Sequence, residues 1–108
     1  MTALDDIALE RRRQIKQEGW TAEHDDAHSK CEMAIAAAGY ALAPSPVEIE
    51  RQSSYPPVPD NWLWHWSWWK PGNYRRNLGK AGALIVAEIE RWDRLTQQLG
   101  KGEESDEN

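Results

Sequence analysis

This sequence predicts an all-α fold, a small domain of three to four helices with a long Pro-rich connector and an extended Trp-rich strap. Three observations carry that expectation. Apolar residues recur at three- and four-residue intervals from Leu78 to Leu99, the spacing of a helix with one buried stripe. A second, Ala-rich stretch reads as a helix over 28–42, closed by Pro44 and Pro46. The only run with strand-like alternation, Trp62, Trp64, Trp66 and Trp68, has no partner strand, so it reads as a strap lying across helices.

The first helix is expected over 5–17. Leu4, Ile7, Ala8 and Ile15 mark a core face, and the arginine run Arg11, Arg12 and Arg13 a solvated one. Asp5 and Asp6 at its start and Lys16 at its end suit the helix dipole, and Gly19 supplies a left-handed stop. Asp25 and Asp26, or the Ser29-x-x-Glu32 spacing of a capping box, offer N-caps for the second helix. Its alanines, Ala34, Ala36, Ala37, Ala38 and Ala41, permit close approach of another helix and also suit an interface between copies. Cys31 falls within this pattern and is expected to be a buried, inert thiol.

The connector, 43–60, holds five of the six prolines, with one or two helical turns expected over 47–52. The Trp-rich segment follows over 61–74. The last helix is expected over 78–100, with Glu90 and Arg94 as an i,i+4 pair and Gly100 as its stop. The acidic end, 101–108, is expected to be disordered, so that 1–100 forms one helical domain.

Size and charge exclude several classes. A chain of 108 residues holds one modest core and no separate catalytic lobe. The net charge of −5 argues against duplex nucleic acid as a partner. A single cysteine rules out an internal disulfide. The opening MTALDDIALE lacks the order of a signal peptide, and no apolar run is long enough for a bilayer span, so a cytoplasmic setting without membrane association is expected.

Candidate chemistry is concentrated in two places. Five of seven tryptophans lie within 62–69, followed by Lys70, Tyr74, Arg75, Arg76 and Lys80, and no acid occurs between Asp60 and Glu88. Indole faces stack on flat rings and fixed cations hold phosphate. Trp66, Trp68, Trp69, Lys70, Tyr74, Arg75, Arg76 and Lys80 are therefore candidate ligand-binding residues for a nucleotide-like anion. Trp62 and Trp64 are assigned to the core. Around Gly19 the chain adds Trp20, His24, Asp25, Asp26 and His28, which offer polar contacts opposite the indoles. His24, His28 and Glu32 have an i, i+4, i+8 spacing, but the H-E-x-x-H order of a zinc protease is absent and no metal or cofactor is assigned. No nucleophile elbow or phosphate loop appears, so no catalytic residue is assigned and binding is favoured over an enzyme.

Three segments together resemble a widespread family of small phage and prophage proteins: 10–40 (ERRRQIKQEGWTAEHDDAHSKCEMAIAAAGY), the WxW…WWKP stretch ending at Pro71, and 75–94 (RRNLGKAGALIVAEIERWDR). Gly19-Trp20 followed by Asp25-Asp26 and His28 also resembles ryanodine-receptor-type repeat domains; of the Gly-Glu-Leu that follows the His there, only the Glu has a counterpart here, Glu32. The first resemblance implies a virus-encoded accessory protein in the host cytoplasm, and by analogy an oligomeric sponge that sequesters a host immune nucleotide signal. The alternatives are a protein-binding inhibitor of a host defence complex and a metal-dependent nucleotide hydrolase. The Ala-rich helix and small size point to a homo-oligomer.

Overall fold

The computed structural model describes residues 2–43, 58–60 and 62–107, with side chains to residue 100. Its elements are α1 (Ala3–Lys16), α2 (Ala22–Asp26), α3 (Glu32–Ala41), a 3₁₀ turn (Trp66–Trp68) and α4 (Tyr74–Glu107). The fold is all-α, with no strand among the described residues. The helical turns expected over 47–52 lie outside the described residues.

α4 is the spine, and α1, α2 and α3 all pack on it. At 34 residues it is about 51 Å long. It begins at Tyr74 and runs through Gly100 to Glu107, so the glycine stop expected at 100 is not used. The Ala-rich helix does what its small residues predict. Ala36 and Ala37 join Met33 and Tyr40 in one buried cluster with Ala81, Leu84 and Ala87 of α4. Ala36 and Ala37 are thus used inside the chain, whereas Ala34, Ala38 and Ala41 are exposed.

α1 departs most from expectation. Its capping box is formed by Thr2, whose hydroxyl accepts from the Asp5 amide while the Asp5 carboxylate accepts from the Thr2 amide. Its buried residues are Glu10, Arg11 and Gln14, whereas Leu4, Leu9 and Ile15 are exposed. Of the arginine run only Arg12 is therefore fully solvated; Arg11 is buried and Arg13 half-buried. Arg11 lies between Asp25 (2.8 Å) and Glu90 (3.2 Å) and also donates to the Trp20 carbonyl (3.2 Å). Apolar periodicity misses such a face because its partners are distant in sequence. Glu90 is consequently not paired with Arg94, which bonds Asp26 (2.8 Å).

Gly19 does take the left-handed conformation, φ +75°. Neither expected N-cap is used. Thr21 caps α2 by accepting from the His24 amide, so Asp25 and Asp26 end that helix instead of starting the next. α3 begins four residues later than expected, after Cys31. That residue has φ +63°, makes no side-chain cap bond, and is exposed, contrary to the buried thiol expected.

Candidate functional site

Tyr40 and Asn77 fix the Trp-rich strap at two points. The Tyr40 hydroxyl donates to the Trp68 carbonyl (3.3 Å) and accepts from the Lys70 amide (3.0 Å), while its ring stacks on Trp69 at 4.7 Å. Asn77, fully buried, accepts from the Gly72 amide (2.7 Å) and donates to the Gly72 carbonyl (3.2 Å). At the first of these anchors the 3₁₀ turn over Trp66–Trp68 breaks the expected alternation of indoles. Trp69 drops into the core, Trp66 is 68% exposed, and Trp62 and Trp64 sit partly buried against the core.

The turn leaves a cleft of about 190 Å³ lined by Trp20, His24, His28, Trp64, His65 and Trp68. Trp20 packs against Trp64 (5.3 Å), Trp68 (6.0 Å) and the His24 ring (5.9 Å), and the rings of His24 and His28 are 4.3 Å apart. Trp64 holds its place with its indole N–H buried and without an acceptor among the described residues, a burial costing about 1–3 kcal/mol.

The ring nitrogens are sorted by their partners. His24 Nδ1 bonds the Asp25 carboxylate (3.0 Å), and Asp25 is fully buried and braced by Arg11. His28 Nδ1 donates to the His24 carbonyl (2.7 Å). Both imidazoles therefore keep Nε2 as an acceptor in their neutral form. His65 is the reverse. Its Nδ1 accepts from the Ser67 amide (3.2 Å), so the neutral ring carries its proton on Nε2 and donates.

The cations form a second region on the far side of Trp20 and Trp68. Arg13, Lys70 and Lys80 surround a small depression with Glu10, Gln14, Glu18 and Tyr40, and Trp20 and Trp68 line it too. Lys70 Nζ lies 5.0 Å from the Trp68 ring centre, within cation–π range. Next to it, Arg75 and Arg76 line a groove of about 360 Å³ with Asp6, Leu9, Glu10 and Arg13. The stretch that lacks acids in sequence is not without them in space. Arg75 pairs with Asp6 (2.7 Å), Arg76 with Glu10 (2.6 Å) and Lys70 with Glu18 (3.3 Å), all three acids coming from α1 or the turn after it. Five cations face three carboxylates, which leaves a surplus of two.

That network sets its own electrostatics. Burial raises the Glu10 carboxyl, but hydrogen bonding to Arg13 and the charges of Arg76, Arg13 and Lys80 outweigh it and hold the group below its ordinary value. Glu18 is likewise lowered, burial being outweighed by Arg13 and Lys70. Burial, then repulsion from Arg76, lowers Lys80, whose ammonium donates to the Lys70 carbonyl and lies 5.5 Å from the Tyr40 ring centre.

Of the residues singled out from sequence, Trp20, His24, His28 and Trp68 come together in the cleft, with Asp25 behind His24. Lys70 and Lys80 lie across the shared indole wall. Arg75 and Arg76 are one groove further on. Trp69 is core, Tyr74 starts α4 half-buried, Asp26 faces Arg94, and Trp66 stands outside beside His65. Sequence reasoning missed Trp64 and His65. Trp64 shares the alternation of Trp68, which was a usable signal; His65 had none. Among the described residues no three His, Cys, Asp or Glu side chains converge as a metal-holding group, and no helix is long and apolar enough to cross a membrane. No family model, curated protein or solved structure matches the chain.

Proposed function

We propose that this protein binds a compact nucleotide-like molecule, with its flat ring in the aromatic cleft and its anionic group over the edge of Trp68 toward Lys70. One observation carries the reading: Trp20 and Trp68 form a wall common to the imidazole-lined cleft and the cationic depression. A ring stacked on that wall gains about 1–3 kcal/mol per indole. Two imidazole acceptors and one donor suit the polar edge of an amino-substituted heterocycle. Beyond the wall Arg13, Lys70 and Lys80 face Glu10 and Glu18, and that excess of one positive charge suits a phosphate. The role follows from the chemistry of retention: the chain holds its ligand and, as the phage resemblance implies, sequesters a nucleotide signal of the host.

A second reading rests on Asp25 and His24. A buried carboxylate that orients an imidazole while its Nε2 faces a cleft is the arrangement of a general base, so a ligand seated there is open to hydrolysis. One experiment separates the two. A panel of mono- and dinucleotides is titrated while indole fluorescence and melting temperature are followed, and the ligand is then recovered and its mass measured. Binding predicts quenching, a raised melting temperature and an intact ligand. A cleaved product supports the base. No response from any nucleotide rejects both.

A further inference from the structure

α4 carries an apolar stripe that nothing among the described residues covers. Leu78, Ile85, Ile89, Trp92 and Leu99 are each between 42% and 62% exposed. Leu78, Ile85, Trp92 and Leu99 are spaced by seven residues, with Ile89 four after Ile85. A straight helix drifts about 20° per seven residues, so a strict seven-residue repeat keeps one face toward a partner helix wound around it. From Leu78 to Leu99 the stripe is about 32 Å long. Its neighbours on α4 do not call for a charged partner. Glu88 is paired with Arg91, Glu90 with Arg11, and Arg94 with Asp26, all within the chain.

The geometry points to a second copy of this chain as the occupant, its α4 lying antiparallel. The order follows from charge. The start of α4 and the residues leading into it carry Lys70, Arg75, Arg76 and Lys80, which with Arg13 exceed the acids Asp6, Glu10 and Glu18 beside them by two, whereas 101–107 carry Lys101 against Glu103, Glu104, Asp106 and Glu107. Setting Leu78 of one copy opposite Leu99 of the other places Glu103 level with Tyr74, and Glu107 just beyond the start of the other α4. Acidic ends then meet basic starts twice, by symmetry. A parallel pair would set cations against cations and acids against acids. The strip is about 10 Å wide, well under the ~800 Å² per partner of a standard interface, so the dimer is of the weak, reversible class. It buries none of the cleft residues, and its success or failure is independent of ligand binding.

Sedimentation equilibrium across a concentration series tests this on the full chain. The wild type should show a reversible monomer–dimer equilibrium. Ile89→Glu and Trp92→Glu, both at half-exposed positions and each checked for unchanged helix content by circular dichroism, should weaken it at least about tenfold. Amides at Glu103, Glu104, Asp106 and Glu107 should weaken it at low salt and leave it unchanged at high salt. Order is read by cross-linking in a Cys31→Ser background. An equimolar mixture of Ile85→Cys and Trp92→Cys chains should form the mixed disulfide dimer in preference to either homodimer. A wild type still monomeric at about 1 mM, a dimer indifferent to both glutamate substitutions, or a preference for the Ile85→Cys homodimer overturns the proposal.

Discussion

Removing the Asp25 carboxylate should cost this protein a large share of its stability, and the geometry says how much. The Asp25 side chain is 0% exposed and that of its partner Arg11 9%, with 2.8 Å between charged atoms. Breaking a buried pair from one side costs about 3–5 kcal/mol, chiefly because the other charge is stranded. Arg11 is not wholly stranded in Asp25→Asn, since it keeps Glu90, whose side chain is half exposed, and the Trp20 carbonyl. That reduces the expected loss to about 2–3 kcal/mol. Arg11→Met leaves Asp25 with His24 alone, so the full 3–5 kcal/mol is expected. Asp25→Asn combined with Arg11→Met strands neither charge and should cost about 1–3 kcal/mol less than the sum of the single losses. For a domain stable by about 5–15 kcal/mol, Asp25→Asn should lower the melting temperature by roughly 10–20 °C. Urea unfolding of the four chains gives the cycle. A loss under about 0.5 kcal/mol for Asp25→Asn, or strict additivity in the double substitution, would refute the view that α1 is held through its polar face.

Three further outcomes follow from particular residues. Asn77→Asp keeps the acceptor for the Gly72 amide but turns an oxygen toward the Gly72 carbonyl, so urea unfolding should show a loss of about 2–4 kcal/mol; an unchanged midpoint would mean the strap is not anchored there. Glu10 and Glu18 have folded-state values below the ordinary glutamate value of 4.5, so their contribution is present above about that pH and is lost as pH falls through the lowered values. Stability measured between pH 7 and 3 should therefore fall steeply below about 4.5, and less steeply in Glu18→Gln. Gly19→Ala, at φ +75° with open space around it, should cost about 1 kcal/mol from backbone strain alone, measured by thermal melting.

What could be read from sequence was what local pattern determines. The long apolar repeat located α4, the alanines located α3, and Gly19 was recognised as a left-handed turn because only glycine takes that conformation freely. The orientation of α1 was not legible. Apolar periodicity selects Leu4 and Ile15, and the face that packs is Glu10, Arg11 and Gln14, whose partners Asp25, Arg76 and Glu90 are 14 to 79 residues away. The same blindness made the segment 61–87 look like unneutralised cations, when α1 supplies Asp6 and Glu10 from the other end of the chain. In the candidate site, the association of Trp20, His24 and His28 with Trp68 was within reach, because two clusters of chemistry-bearing residues stand out in an ordinary composition. The split of the tryptophans between core, cleft and exterior was not, since it depends on a 3₁₀ turn over Trp66–Trp68 that alternation does not reveal.

The central claim is that one indole wall joins a ring site to an anion site, and paired titrations test it most directly. Indole fluorescence is followed as the wild type, Trp68→Ala and Lys70→Gln are each titrated with a nucleotide and with its phosphate-free nucleoside. Trp68→Ala should weaken both ligands by a similar factor, roughly 5- to 150-fold, for the loss of one stacking face. Lys70→Gln should weaken the nucleotide alone and bring it down to the nucleoside. If the two substitutions act alike on both ligands, or if Lys70→Gln leaves the preference for nucleotide over nucleoside intact, ring and anion are not read across Trp68 and the account is contradicted.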